Sequence, residues 1–324
     1  MDYEIVATLG PGSQDSRTWK SMLSAGVTAF RLNTSHLSLP QLHTWLDRLI
    51  PFLSSLDTKP VLVLDLQGSK WRLGDFSPFK LIDGQRVELI LAESSHSRNV
   101  LPVPHPDFFR AASLSSDEIV LNDARIHLRV EAAGKDSMNA RIVQGGEISP
   151  RKGITFLSSQ YRKEALSEKD HAIFEETRHL EIHYAISYIK DAAEMSKYRQ
   201  LLGASVFLIA KLERGPALDE AVKIAGYANE LWLCRGDLGA ELGIKTMAEK
   251  VFSFSSEIRN YPAPVLMAGQ VLEHMTGQPA PTRSEVCYLY DALVGGYGGF
   301  VLSDETAIGY YPLEACRTAA LFKT

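Results

Sequence analysis

Cysteine is scarce in this chain: Cys234, Cys287 and Cys316 are the only three, and they stand too far apart for a metal knuckle or a redox pair. That excludes a disulfide scaffold and makes the cytoplasm the expected compartment. Long apolar runs are lacking too. The longest are strand-sized, well short of the ~18 residues that would span a bilayer, so no membrane partner is expected. No basic block occurs, and 34 Lys and Arg stand against 39 Asp and Glu for a net charge of −5, which argues against nucleic acid as a partner. The opening MDYEIVATLG is acidic and enters a strand at once, unlike a signal peptide. His179 and His183 are four apart with no carboxylate cluster beside them, and they read as a solvated pair rather than a zinc site. What is present, at 45% hydrophobic and 23% charged over 324 residues, is an ordinary globular composition with ample core.

Apolar runs followed by helical periodicity recur along the chain. Strand candidates lie at 3–8, 26–30, 61–66, 184–188, 206–210, 231–234, 264–267 and 299–303, with amphipathic stretches between most of them. Eight β–α units in a row predict the α/β class and a (β/α)₈ TIM barrel rather than an open sheet. One interruption follows the third strand. Residues 75–154 lose helical periodicity and read as short alternating strands punctuated by Gly, Pro, Asn and Asp. They predict a small all-β lid domain, leaving 1–74 and 155–324 for the barrel, close to the roughly 250 residues a bare barrel takes. An insert at the rim on two hinges is placed to close over a site.

Two segments carry the most chemistry, Lys211-Leu-Glu213 and Arg235-Gly-Asp237-Leu-Gly. Each follows an apolar run and precedes a helical stretch, which is how a barrel builds its active-site rim. Glu213 and Asp237 are hard oxygen ligands suited to Mg²⁺ or Mn²⁺. Lys211 stands beside them as a fixed cation, and Gly236 lets an anion approach the N–H groups opening the next helix. Metal, cation and helix N-terminus together suit phosphoryl transfer, whose transition state spreads negative charge over several oxygens. A pair of solvated ion-pairing loops is the competing reading. Arg31, Asn33 and Ser35 alternate at the end of the second strand and share one side of the pleat. Arg31 can hold phosphate oxygens, while Asn33 and Ser35 offer neutral ones. Thr282 and Glu285 have capping-box spacing and read as a helix start. Ser303 and Glu305 follow the eighth strand, where barrels commonly bind phosphate.

The segments MDYEIVATLGPGSQD, FRLNTSH, VLDLQGSKWRLG, SPRKGITF, IAKLERG, CRGDLG, APTRSE and LSDETAIGYYPLEA occur in that order and closely resemble the pyruvate kinase family from residue 1 to about 320. The resemblance implies transfer of a phosphoryl group from phosphoenolpyruvate to ADP, giving pyruvate and ATP, with Mg²⁺ or Mn²⁺. It implies Lys211, Arg31 and Arg72 on the phosphoryl group, and Glu213 and Asp237 on the metal. Gly236, Asp237, Gly269 and Ser303 would line the phosphoenolpyruvate site. Lys152, Asn33 and His36 would meet the nucleotide, with Asp123 a lid aspartate that approaches the lysine on closure. Asn33, Ser35 and Asp65 would form a monovalent-cation site.

Three departures from the family pattern stand out. Gly269 replaces the threonine of an Ala-Thr-Gln segment, so a water would have to take the place of its hydroxyl in protonating the enolate. Lys70 replaces a glutamate that goes with potassium dependence, so K⁺ is not expected to be required; Gln67 replaces a lysine nearby. The domain that usually follows the barrel, with its effector site, has no counterpart here, so sugar-phosphate allostery is not expected, while a homodimer through the later helices stays open. Two other readings remain: a lyase or condensing enzyme acting on the enolate of another 2-oxo acid, favoured by the room beside Gly269, and a sensor that binds phosphoenolpyruvate and metal without turnover.

Overall fold

The protein is described by a computed structural model covering residues 1–112, 118–122, 125–156 and 165–324. Eight parallel strands close into a barrel: β1 Glu4–Thr8, β2 Ala29–Asn33, β3 Val61–Leu66, β4 Ile182–Ile186, β5 Leu208–Leu212, β6 Glu230–Cys234, β7 Val265–Ala268 and β8 Gly299–Leu302. Each strand pairs with its sequence neighbours, and β1 pairs with β8 to complete the ring. The expected barrel is therefore the observed one. Val6, Ala29, Val63, Ala185, Ile209, Trp232, Leu266 and Val301 fill its interior, as side chains do in barrels of this strand number.

The helices form where the amphipathic stretches predict them, and caps fix several starts. Asp15 accepts from the N–H groups of Arg17 and Thr18 to begin the helix Ser16–Ser24. Capping boxes open the helices at Leu39, Glu168 and Arg283, the last through Thr282 and Glu285. Asp170, in the second of these, is fully buried and also accepts from the N–H groups of Gln67 and Gly68, fixing the turn where the chain leaves β3.

Three strands are displaced by two or three residues from the sequence reading, while the other five agree to within one residue at each end. β2 runs to Asn33 rather than stopping at residue 30, β5 runs to Leu212 rather than 210, and β4 begins at 182 rather than 184. Arg31 and Lys211 thus belong to the ladder itself, because their charges are paired inside the barrel rather than solvated. His183 lies in β4, with its ring stacked on Phe207 at 3.6 Å. Burial lowers its pKa to about 4, so the expected solvated pair with His179 does not form.

By packing, the chain divides into two units: residues 1–68, 166–235 and 250–324, and residues 69–165 with 236–249. The second unit contains a two-stranded antiparallel sheet (Phe79–Leu81 with Gly146–Ile148). It also holds a six-stranded sheet ordered 154–156, 118–121, 126–133, 137–144, 86–90, 100–102. The insert is β-rich, as expected, and its described residues include one short helix at Pro106–Ala112. Its own core centres on Trp71, Phe108 and Phe156, with the two phenylalanine rings stacked at 4.7 Å.

Candidate active site

At the C-terminal ends of β2, β3 and β5 the barrel brings together Arg31, Asp65, Lys211 and, just after β5, Glu213, all at least nine-tenths buried. The Arg31 guanidinium forks onto one oxygen of Asp65, Nε at 2.8 Å and Nη2 at 2.5 Å, and its other nitrogen donates to Thr8 Oγ1 at 2.8 Å. Lys211 Nζ stands 3.1 Å from the same Asp65 oxygen and 2.9 Å from Glu213 Oε1. It also donates to Ser187 Oγ at 2.9 Å, and Ser187 donates to the second oxygen of Asp65 at 3.1 Å. The Tyr188 N–H donates to Glu213 Oε2 at 2.7 Å, so both oxygens of that carboxylate are oriented.

Two cations and two anions are thus fixed together out of water, and the electrostatics follow from that. Burial opposes the charge on Asp65, but Lys211 and Arg31 overcome it and hold its carboxyl below the usual range. Burial likewise opposes the Lys211 ammonium, and Asp65 and then Glu213 raise its pKa above the ordinary lysine value. Lys211 is a permanent cation, not a proton donor near neutral pH. Charge held rigidly in a dry site acts more strongly on an approaching anion than the same charge in water.

Other predicted residues end β2 or follow β2, β7 and β8. Asn33 Oδ1 accepts from the Ser35 N–H, and Ser35 is buried in the turn Thr34–His36, with His36 exposed at its end. The Ser303 N–H donates to Glu305 Oε2 at 2.6 Å, while Glu305 Oε1 accepts from the Leu272 N–H at 2.9 Å. Glu305 therefore ties the loops after β7 and β8 together. Gly269 opens the loop after β7 at φ 77°, followed by Gln270 at φ 55°, a left-handed pair in which threonine would be strained. Arg235 holds that loop: Nη2 donates to the carbonyls of Gly269 and Gln270 at 2.9 and 2.8 Å, and its guanidinium lies over the Tyr288 ring.

In the second unit, Arg72 Nη1 donates to the Arg151 carbonyl at 2.8 Å, and the Lys152 carbonyl accepts from the Leu73 N–H. Asp237 lies in the first turn of the helix Arg235–Leu242, and a side chain added at Gly236 would meet nothing within 4 Å. Both oxygens of Asp237 lie 2.6 Å from Lys70 Nζ. Asp123 lies outside the described residues.

Ser187 and Lys169 are the residues that sequence reasoning missed. Ser187 sat inside an apolar run and carried no motif, although a polar residue just past a barrel strand is a signal for this rim. Lys169 donates to the Thr34 carbonyl at 2.5 Å, placing a further ammonium on the Asn33–His36 turn. Its position in a helix start gave no hint.

A divalent ion suits this donor chemistry. Glu213 and Asp237 are carboxylates, each already matched by an ammonium, Lys211 and Lys70 respectively. Among the described residues no group of three or more His, Cys, Asp or Glu is placed to hold a metal. Mg²⁺ commonly takes only one or two protein carboxylates, completing its shell with substrate oxygens and water.

Residues 2–316 match the family described as "Pyruvate kinase, barrel domain". A pyruvate kinase of Agrobacterium vitis is 33% identical over 317 residues, 96% of this chain and 65% of its own length. Those of Thermococcus litoralis and Mycobacterium tuberculosis are each 30% identical, covering 98% and 97% of this chain. The chain spans about two thirds of the length of these relatives.

Proposed function

The chain belongs to the pyruvate kinase family, and from that premise we propose that it transfers a phosphoryl group from phosphoenolpyruvate to ADP, giving pyruvate and ATP. The observation that carries this reading is the buried Arg31–Asp65–Lys211–Glu213 cluster at the strand ends of a barrel matched to this family. Lys211 and Arg31 present fixed positive charge to the phosphoryl oxygens, and Arg72 is assigned to the same phosphoryl group. Because Asp65 and Glu213 hold both cations in place beforehand, little reorganisation is needed as charge develops.

Glu213 and Asp237 are assigned to a divalent ion, Mg²⁺ or Mn²⁺, which when bound would neutralise charge on the phosphoryl and enolate oxygens. The N–H groups at Gly236 and Asp237 receive the substrate carboxylate at a helix start. Gly269 leaves room for a water to deliver the enolate proton, and Ser303 borders the same substrate. Asn33, His36 and Lys152 are assigned to the nucleotide. A monovalent-cation site is ascribed to Asn33, Ser35 and Asp65; Lys70, which pairs with Asp237, is assigned the positive charge that K⁺ would otherwise bring, so the reaction runs without potassium. The cytoplasm is the compartment this reading expects.

The test is pyruvate formation from phosphoenolpyruvate and ADP, with Mg²⁺ present or omitted, and with K⁺ exchanged for a bulky cation at equal ionic strength. The reading expects Mg²⁺-dependent pyruvate at rates that K⁺ does not change. Absence of pyruvate with Mg²⁺ and both substrates present would overturn it, and strong K⁺ activation would remove Lys70 from its role.

A further inference from the structure

Lys70 is held more firmly than a surface lysine. It directly precedes Trp71, whose carbonyl accepts from the Ile154 N–H at 3.1 Å, and Leu73 pairs in turn with Lys152. The Trp71 ring is buried edge-on to Phe108 and Phe156, and its indole N–H donates to Asp107 at 2.9 Å. The backbone of Lys70 is therefore anchored by the hinge segments of the insert. Its side chain is 11% exposed, that of Asp237 is 17% exposed, and the ammonium bridges both Asp237 oxygens at 2.6 Å.

Gly153 completes this seat. A methyl group there would come within 2.9 Å of Lys70 Cε and 3.4 Å of Nζ. The end of the lysine thus occupies space that only a glycine leaves open. A contact this close to the flexible end of a side chain is relieved by moving that end. Alanine at 153 would therefore push the ammonium off Asp237 without altering any charge.

We propose that Lys70 is a built-in competitor for the divalent ion: it covers Asp237 in the metal-free protein and has to leave when metal binds there. The proposal rests on the assignment of Asp237 as a metal ligand. Both oxygens of the carboxylate are engaged by one ammonium, and a divalent ion on the same oxygens would face a positive charge at contact distance. Binding is thus an exchange of ammonium for metal, and apparent affinity is reduced by the fraction of molecules in which Asp237 is covered.

The experiment measures Mn²⁺ binding to the full chain without substrates, from the electron paramagnetic resonance signal of free Mn²⁺. Lys70→Met and Gly153→Ala should each tighten binding by about tenfold or more, and Asp237→Asn should weaken it. Tightening by Gly153→Ala is the informative result, because removal of a positive charge cannot account for it. Binding unchanged in both Lys70→Met and Gly153→Ala, with Asp237→Asn still weakened, would overturn the competition while leaving Asp237 a ligand. Unchanged binding in Asp237→Asn would overturn both. In the unmodified protein, Mg²⁺ should increase labelling of Lys70 by an amine-reactive reagent, read by mass spectrometry. Labelling insensitive to Mg²⁺ would overturn the proposal even if a variant failed to fold.

Discussion

At the C-terminal end of β3, Asp65 is 1% exposed and faces Arg31 and Lys211; at the first residue of β6, Glu230 is 4% exposed and accepts a hydrogen bond from Trp232 two residues along its own strand. Burial is nearly equal, yet the two carboxyls move in opposite directions. Cations outweigh burial at Asp65 and keep it ionised. No described residue forms an ion pair with Glu230, and burial, with the nearby Glu4 adding to it, pushes its pKa up to about 8. The same barrel thus buries one carboxylate as part of an ionic cluster and the other as a neutral acid. The difference teaches where reactive charge is concentrated, since only the first end holds compensated charge that can act on an anion.

The largest expected effect comes from breaking the charged end. Glu213→Gln removes the carboxylate assigned to the metal and half of the charge opposing Lys211, and Mg²⁺-dependent turnover should be abolished while the circular dichroism spectrum stays that of the folded barrel. Near-normal turnover would move the metal assignment away from this end.

The neutral end is tested by pH. Glu230 has a folded pKa near 8 against an ordinary value of 4.5, so the folded state holds the proton more tightly. Its contribution is fully present below the ordinary value and is lost as pH rises through about 8, on the order of a few kcal/mol. Asp65 behaves oppositely: its contribution is present above the ordinary 3.8 and is lost as pH falls through its depressed folded value. Glu230→Gln should therefore flatten the decline in stability between mildly acidic and alkaline pH, measured by denaturant titration, without altering acid unfolding. An unchanged slope would show that Glu230 is ionised in the folded barrel.

Smaller effects come from backbone and cap. Gly269→Thr places a β-branched residue at φ 77° and should lower stability by about 1–3 kcal/mol, with Gly269→Asn milder because asparagine tolerates that region. Thermal unfolding of the pair checks this, and equal melting temperatures would indicate that the loop has another conformation. Thr282→Ala removes the cap that accepts from Glu285 at 3.1 Å and should cost about 1 kcal/mol, read in the same way.

The barrel was legible in the sequence because each strand–helix unit carries its own apolar signal. The strand ends were not. Apolar periodicity ends β2 and β5 before Arg31 and Lys211, since a charged residue reads as solvated when its partner lies elsewhere in the chain. Asp65 stands 34 residues from Arg31 and Ser187 stands 24 from Lys211, so a local window shows neither pairing, whereas Glu213 lies two residues from Lys211. Strand-end chemistry, reinforced by the motif resemblance, supplied the identities of Arg31, Lys211 and Glu213, but not the full set of their pairings. Lys70 shows the gap most clearly: its substitution pattern suggested a monovalent-cation role, whereas its contact with Asp237, 167 residues away, emerges only from the fold.

The most direct test of the charged end is a steady-state comparison of Lys211→Met with the unmodified protein, using phosphoenolpyruvate, ADP and Mg²⁺, on a variant that still melts cooperatively. The account predicts that kcat falls by orders of magnitude, about 10²-fold or more, while the KM for phosphoenolpyruvate changes little, because Lys211 acts on charge that develops in transit. A change confined to KM, or turnover close to that of the unmodified protein, would contradict it.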